Sequence, residues 1–177
     1  KTTDVVVSET HHGGPPAVDA RTRGTVIHAW FECIEWLDES RPEPDEASLR
    51  QRAAELTVSE RAVERLLPDF RKMLKVAGVR KLFHAASGGD ARVFGSHRAQ
   101  IEAGSASLKV ERERMFVLLH DGELVQGTID RLVLLYENGR PVAADIVDFK
   151  TDRLVGPREQ WIENKRNHYG PQLQEYR

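Results

Sequence analysis

The chain has 177 residues, of which 40% are hydrophobic and 31% are charged, and its formal net charge at pH 7 is -2. This composition is ordinary for a globular domain, and no apolar run approaches the ~20 residues that a membrane span requires. Cys33 is the only cysteine, which excludes a disulfide framework and also an iron–sulfur cluster, since a cluster needs about four thiolates. We therefore expect one domain in a reducing, cytoplasmic compartment, with no membrane partner.

The charges are unevenly distributed along the chain. Residues 32–47 hold seven acids against Arg41 alone, whereas residues 71–114 hold ten lysines and arginines against four acids. Such a separation of charge is compatible with a basic face that binds nucleic acid. A solvated helix surface would produce the same pattern, so charge alone leaves both interpretations open.

The N-terminal half predicts an arm followed by helices. Residues 1–20 are interpreted as a linker or flexible arm because they contain a Gly-Gly-Pro-Pro run. Apolar residues at helical spacing predict a first helix over 22–39, a second over about 47–56 and a third that begins near Thr57. Thr57 with Glu60 is a candidate capping box for the third helix. The second and third helices lie in a predicted helical insertion, about residues 41–104.

The C-terminal half changes to the period of strands. Residues 114–119, 124–136 and 142–150 are rich in β-branched and aromatic side chains. Asp121-Gly122 and Asn138-Gly139 join them, and these dipeptides favour type I′ turns, in which both central residues need positive φ. We expect an antiparallel three-strand meander, followed by a loop and a helix that reaches the end of the chain.

Two aspartates stand in the middle of these strands. Side chains alternate along a strand, so Asp148 and Lys150 share one face, about 7 Å apart, and Asp130 on the neighbouring strand can approach them. Two buried carboxylates repel each other, and a divalent cation such as Mg²⁺ would remove that penalty. The plainer alternative is that Asp148 pairs with Lys150, and Asp130 with Arg131 or Arg153.

The pattern of Asp130 followed by Asp148-Phe149-Lys150 resembles the PD-(D/E)XK nuclease core, an aspartate on one strand and Asp-X-Lys on the next. The surrounding segments "LVQGTIDRLV", "IVDFKTDR" and "HYGPQLQEYR" resemble the RecB/AddA-type nuclease domain at the C-terminus of UvrD-like ATP-dependent recombination helicase-nucleases. "RGTVIHAWFE" is similar to the first helix of that group, and "ERMF" to the strand that enters its core.

The resemblance implies an α/β (α+β) fold of the restriction-endonuclease type, with the meander flanked by helices and the helical insertion placed between the first helix and the sheet. It implies a RecB-like nuclease domain over residues 21–177, which we expect to be a fragment of a larger helicase-nuclease. It also implies a metal site: His28, Asp130, Asp148 and the backbone carbonyl of Phe149 would bind Mg²⁺, for which Mn²⁺ would substitute.

The same resemblance assigns catalytic roles. Asp130 and Asp148 would act together with Lys150, which would position or help deprotonate the attacking water and stabilise charge on the phosphate. Gln172 and Tyr176, four residues apart on one helical face, match the Gln-X-X-X-Tyr pattern of the group and would support the site or the phosphate backbone. Tyr169 would contribute in the same way.

The function implied is a Mg²⁺-dependent deoxyribonuclease, an exonuclease or endonuclease that acts with a helicase on single-stranded or unwound DNA ends during double-strand-break repair and recombination. The helicase would be in the same chain or complex. The alternative function is a catalytically inactive, nuclease-like module that binds DNA or the helicase. Nothing specific in the sequence favours a third reading, an RNA-directed nuclease.

Overall fold

The computed structural model describes residues 2–6, 18–84, 94–120, 122–151 and 156–175. Four strands form one sheet: β1 Thr2–Val6, β2 Ala106–His120, β3 Glu123–Glu137 and β4 Arg140–Lys150. The helices are α1 Ala20–Glu32, α2 Glu46–Glu55, α3 Glu60–Lys75, α4 Ala77–Leu82, α5 Arg98–Glu102 and α6 Arg158–Glu175, with a 3₁₀ turn at Gly95–His97. No helix within these described ranges is long and apolar enough to cross a membrane.

The sheet order is β1-β4-β3-β2. Strands β2, β3 and β4 pair antiparallel, which confirms the predicted meander. Strand β1 pairs parallel with the outer edge of β4, where Thr2 stands opposite Ile146. The sequence does not predict β1, because residues 2–6 belong to the stretch interpreted as an arm.

The turn between β3 and β4 has the backbone geometry that its sequence predicts, whereas Asp121 of the preceding turn lies outside the described residues. Asn138 has φ 51° and Gly139 has φ 75°, so both central residues of the turn between β3 and β4 are left-handed. Gly122 in the preceding turn has φ 85°. A two-residue turn of this kind sets which residues face each other across the hairpin, and therefore the register of the site described below.

Helices α1 to α4 pack against one face of the sheet. Val147 and Phe149 of β4 join a buried cluster with side chains of α1 and α3. The Phe149 ring stacks on Phe31 with centroids 4.3 Å apart, and Phe31 also contacts Phe70 at 5.2 Å. This aromatic contact holds α1 directly over the strand that carries Asp148 and Lys150.

Helix α1 ends at Glu32, well before the predicted end at residue 39, so that prediction is wrong in its boundary. Ile34 and Leu37, two apolar residues of the predicted helix, are buried, but they lie in an irregular segment that follows α1. The Leu37 N–H donates to the Phe83 carbonyl at 2.6 Å, a contact that a continuing helix could not make. A long-range hydrogen bond thus replaces the last helical turn.

Helix α3 begins after Ser59, not at Thr57. The Ser59 hydroxyl accepts from the Ala62 N–H at 3.3 Å and caps the helix, so the predicted capping box does not form. Thr57 instead has φ 57°, a left-handed conformation that ends the preceding helix. Helices α2 to α5 all lie in the predicted insertion between α1 and the sheet.

Candidate metal and catalytic site

The site lies where β3 and β4 separate. Their backbone pairing reaches Arg131 opposite Val147, and the next positions are Asp130 and Asp148. Beyond that point the Phe149 N–H donates to Oδ2 of Asp130 at 2.5 Å. A carboxylate therefore takes the place of a strand carbonyl, and the two strands stay joined while the site opens between them.

Helix α1 brings His28 to Asp130. The distance from His28 Nδ1 to Asp130 Oδ1 is 3.5 Å, and 30% and 12% of the two side chains are exposed. Asp130 thus contacts His28 through one oxygen and the β4 backbone through the other. The alternative in which Asp130 pairs with Arg131 is wrong, and Arg153 lies outside the described residues.

Two buried arginines hold α1 in this position. Arg23, near the start of the helix, donates to the carbonyl of Thr151, the residue after Lys150. Arg131, the residue after Asp130, donates to the carbonyls of Ile34 at 3.2 Å and Glu35 at 2.7 Å, just past the helix end. Each end of α1 is therefore tied to a strand position next to a site residue.

Arg131 is 1% exposed and lies between aromatic rings. Its guanidinium carbon is 4.9 Å from the Trp36 ring centroid and 4.7 Å from that of Phe83, within the range of cation–π attraction. Burial lowers its pKa to about 10, and the nearby charge of Arg112 adds to this effect. Arg131 is still protonated at neutral pH and stays part of the core.

Glu113 on β2 lies next to the predicted site residues, and the sequence motifs did not predict it. Arg112 faces Arg131 and Arg114 faces Ile129, so Glu113 stands opposite Asp130. One ligand atom from each of His28, Glu113 and Asp130 lies within 4.8 Å of the others. Because a two-residue turn at Asp121-Gly122 fixes the register of β2 on β3, counting residues back from that turn would have placed Glu113 opposite Asp130.

Asp148 and Lys150 form the second half of the site. Lys150 Nζ lies 2.5 Å from Asp148 Oδ2, and Asp148 is buried whereas Lys150 is partly exposed. The ion pair expected under the plainer alternative is therefore present. The Asp148 carboxylate lies beside the group of three rather than within it, so its role as a metal ligand stays a prediction.

The electrostatics of the site favour an added positive charge. Burial raises the pKa of Asp148 against the opposing effect of Lys150, with a further rise from Asp130. Burial also raises the pKa of Glu113, and the charge of Asp130 adds to it. Burial lowers the pKa of His28, but the hydrogen bond to Asp130 and the surrounding carboxylates outweigh this effect and raise it. All three groups therefore hold protons more strongly than usual, mainly because of burial at the two carboxyl groups and because of Asp130 at His28.

The donor set fits a divalent cation. Carboxylate oxygens are the ligands that Mg²⁺ and Mn²⁺ prefer, and an imidazole extends the set towards transition metals such as Mn²⁺. Within the described residues, the two carboxylates and the histidine would hold such an ion, and the charge of the ion would offset that of the carboxylates. The carbonyl of Phe149 stays a predicted ligand, and the Phe149 ring points away into the core.

The predicted helix that carries Gln172 is α6, but the Gln172 and Tyr169 side chains and all of Tyr176 lie outside the part of the chain that the structure describes. Trp161 near the start of α6 is buried. The supporting roles of Gln172 and Tyr176 therefore stay predictions.

The fold is that of a nuclease class, in which a meander carries an aspartate on one strand and Asp-X-Lys on the next. A family model of the PD-(D/E)XK nuclease superfamily matches residues 7–177. The chain therefore belongs to the PD-(D/E)XK nuclease superfamily, whose members are in general nucleases that use divalent metal ions. No curated protein and no solved structure matches the chain significantly.

Proposed function

We propose that this protein is a Mg²⁺-dependent deoxyribonuclease that hydrolyses DNA phosphodiester bonds, with Mn²⁺ able to replace Mg²⁺. The observation that carries the proposal is the convergence of His28, Glu113 and Asp130 beside the buried Asp148–Lys150 pair, in a member of a nuclease superfamily. Clustered carboxylates repel one another, so three of them beside a histidine are not expected in a sheet that binds no cation.

His28, Glu113 and Asp130 would hold the metal ion, and Asp148 and the Phe149 carbonyl would complete its ligands. A bound divalent ion supplies Lewis-acid chemistry, because it stabilises negative charge on a phosphoryl oxygen and makes a neighbouring water more acidic. Asp130 is held for this role by the Phe149 N–H, which leaves Oδ1 directed to His28. The geometry of the ligands is thus set before the metal binds.

Lys150 would act on the substrate. Its ammonium pairs with Asp148, and 24% of the side chain is exposed, so Lys150 can donate a hydrogen bond towards a bound substrate. Charge-assisted donation of this kind stabilises the negative charge that grows on a phosphate during hydrolysis, and it also orients the attacking water. Gln172 and Tyr176 would support the phosphate backbone.

We further propose that the protein processes single-stranded or unwound DNA ends beside a UvrD-like helicase in double-strand-break repair. The resemblance of its motifs to RecB/AddA-type nuclease domains supports this. So does an exposed apolar strip of the β2–β3 hairpin, on the face that carries Asp130, formed by Met115, Val117, Leu119 and Leu124. Such a strip suits a protein partner. A cytoplasmic location stays a prediction from the single cysteine.

The deciding experiment compares cleavage of end-labelled linear and circular single-stranded DNA by the native protein in Mg²⁺, in Mn²⁺ and in EDTA. Lys150→Ala is the test variant. Lys109→Ala is a matched control, because Lys109 also pairs with an acid two residues away on a strand, Glu111 at 2.8 Å. We expect metal-dependent cutting that Lys150→Ala abolishes and Lys109→Ala retains. Cutting of the circle would show endonuclease activity.

Absence of cutting by a folded protein that still binds Mg²⁺ would contradict the enzymatic proposal and favour the inactive binding module. The proposed preference for unwound ends has its own test, a comparison of blunt duplexes with forked duplexes of the same sequence. We expect cutting of the forked single strands only. Equal cutting of the blunt duplex would remove the reason to invoke a helicase.

A further inference from the structure

A second polar feature lies at the N-terminal end of α1. A cleft of about 670 Å³ opens between the start of α1, the connection from α2 to α3 and the first turns of α3. Its walls carry three arginines and several hydroxyl groups, among them Arg21, Thr25, Ser59, Arg61 and Arg65. Neither the motifs of the sequence nor the proposed metal site accounts for this concentration of hydrogen-bond donors.

The charge of the cleft is positive. Asp19 is the only acid among the described residues that line it, and it accepts from the Thr22 N–H at 2.9 Å as the cap of α1. The three guanidinium groups therefore outnumber the carboxylate. Hydrogen bonds from Thr22 lower the pKa of Asp19, so this carboxyl is ionised at neutral pH and offsets one of the three positive charges.

Two of these arginines differ from most other arginines of the helical layer. Arginines of the neighbouring helices and loops pair with carboxylates, namely Arg41, Arg50, Arg52, Arg71 and Arg80. Over the ranges that the structure describes, neither Arg21 nor Arg61 forms an ion pair, and both are exposed. Their charges are thus available to an anion from outside.

The cleft and the metal site share one face of α1. At about 100° per residue, Arg21, Thr25 and His28 lie within roughly 60° of one another around the helix axis. The rise of the helix places Thr25 about 4.5 Å and Arg21 about 10.5 Å from His28 along that axis. One face of one helix therefore runs from the metal site into the cleft.

We propose that this cleft binds the phosphodiester backbone of the DNA strand whose scissile phosphate lies at the metal site. The inference rests on the proposed nuclease function and adds the path of the substrate. Phosphates recur about every 3.4 Å along one strand of a duplex, and they lie farther apart in an extended strand, so the cleft is within reach of the phosphates next to the scissile one. Arg21 and Arg61 would each donate charge-assisted hydrogen bonds to these phosphates.

The test measures binding of a fluorescein-labelled oligothymidylate of about 16 nucleotides, a length at the upper end of what one binding domain covers. Fluorescence anisotropy is recorded in EDTA over a range of salt concentrations, so that no cleavage occurs. The test variant is Arg21→Gln/Arg61→Gln. The control Arg41→Gln/Arg98→Gln removes the same charge from exposed positions outside the cleft.

Loss of two phosphate contacts should make the slope of log affinity against log salt shallower by about 1.4, which is roughly 25-fold weaker binding at about 0.1 M salt. The control variant should keep the native slope. A test variant with the slope and affinity of the control would overturn the proposal. All four substituted arginines are exposed, so we expect the test variant and the control variant to fold. Circular dichroism checks this.

A second readout separates this inference from the nuclease proposal. Bis(p-nitrophenyl) phosphate has a single phosphate, which would lie at the metal site and leave Arg21 and Arg61 no phosphate to bind. The test variant should therefore hydrolyse it at the native rate while its KM for the oligonucleotide rises. An equal loss on both substrates would show that the arginines act at the metal site. If the native protein hydrolyses neither substrate, the nuclease proposal fails, and the salt slope measured in EDTA still decides whether the cleft binds DNA.

Discussion

The backbone N–H of Phe149 donates to Oδ2 of Asp130 at 2.5 Å, so a site carboxylate also serves as the bridge between two strands. The other oxygen of the same carboxylate, Oδ1, is 3.5 Å from His28 Nδ1. One side chain thus links α1, β3 and β4. Changes at Asp130 should therefore affect stability and metal binding separately, depending on which oxygen is lost.

Asp130→Asn should abolish tight Mn²⁺ binding and leave stability nearly unchanged, because the amide oxygen can still accept from Phe149. Asp130→Ala should lose metal binding and also about 1–3 kcal/mol of unfolding free energy, since a partly buried N–H is left without its acceptor. Calorimetric titration with Mn²⁺ and urea unfolding measure the two effects. Equal stability of the two variants would show that the hydrogen bond between Phe149 and Asp130 contributes nothing to the unfolding free energy.

Glu113→Gln should weaken Mn²⁺ binding by about tenfold or more, because it removes a charged ligand from the group of three. Glu111→Gln is the matched control, as Glu111 lies two residues away on the same face of β2 and pairs with Lys109 instead. Titration calorimetry of both variants is the measurement. If the two variants bind Mn²⁺ equally well, Glu113 is only a surface acid.

Arg131→Met should destabilise the protein by about 3 kcal/mol, because two carbonyls beyond α1 lose a charged donor and the aromatic pair loses its cation. Arg112→Met tests the same change at an exposed arginine that donates to a single carbonyl, that of Glu32 at 2.8 Å, and should cost less than about 1 kcal/mol. Urea unfolding gives both values. A loss below 1 kcal/mol for Arg131→Met would contradict the role of Arg131 in holding α1.

Gly127→Ala should cost about 1 kcal/mol. A Cβ at this position would lie 2.7 Å from Cε1 of the Phe116 ring, which packs over the glycine from the opposite strand position. The ring would have to move, and overpacking of this kind is destabilising. Thermal unfolding of Gly127→Ala, Phe116→Leu and the double variant is the check. Additive losses would show that the two positions do not interact.

Cys33 should react slowly with Ellman's reagent. Burial raises the pKa of its thiol, against the opposing effect of Arg52, and the Sγ–H donates to the Ala29 carbonyl at 3.4 Å. Near pH 8.5, where a free cysteine is about half ionised, the native thiol is mostly protonated, and the thiolate fraction increases only at higher pH. The rate in the native protein should therefore lie well below that in urea. Equal rates in the native protein and in urea at this pH would contradict the raised pKa of the Cys33 thiol.

Local geometry explains what could be read from the sequence. Asn138-Gly139 forms a tight turn because these two residues tolerate positive φ, and the alternation of side chains places Asp148 and Lys150 together without any help from the rest of the fold. The meander, the Asp148–Lys150 pair and the approximate positions of the helices follow from such short-range preferences. Family motifs then indicated that His28 belongs with Asp130.

Contacts between distant segments were not predictable in this way. Arg131 and Ile34 are 97 positions apart, and only the packing of α1 on the sheet shows that the arginine holds the carbonyls past the helix end. Glu113 became a site residue through strand register, and the boundary of α1 was set by a hydrogen bond from Leu37 to Phe83. The cleft of Arg21 and Arg61 joins two helices that no local pattern connects.

The sequence by itself thus determined the turns, the strand faces and the chemistry available at Asp130, Asp148 and Lys150, because φ preferences and side-chain alternation act over a few residues. The tertiary structure decided which groups meet. It brings His28 to Glu113 and Asp130, and it brings Arg61 of α3 to the cleft that Arg21 of α1 also lines. Burial and charge between segments far apart in the chain depend on how the helical layer packs, and that packing is a property of the whole fold.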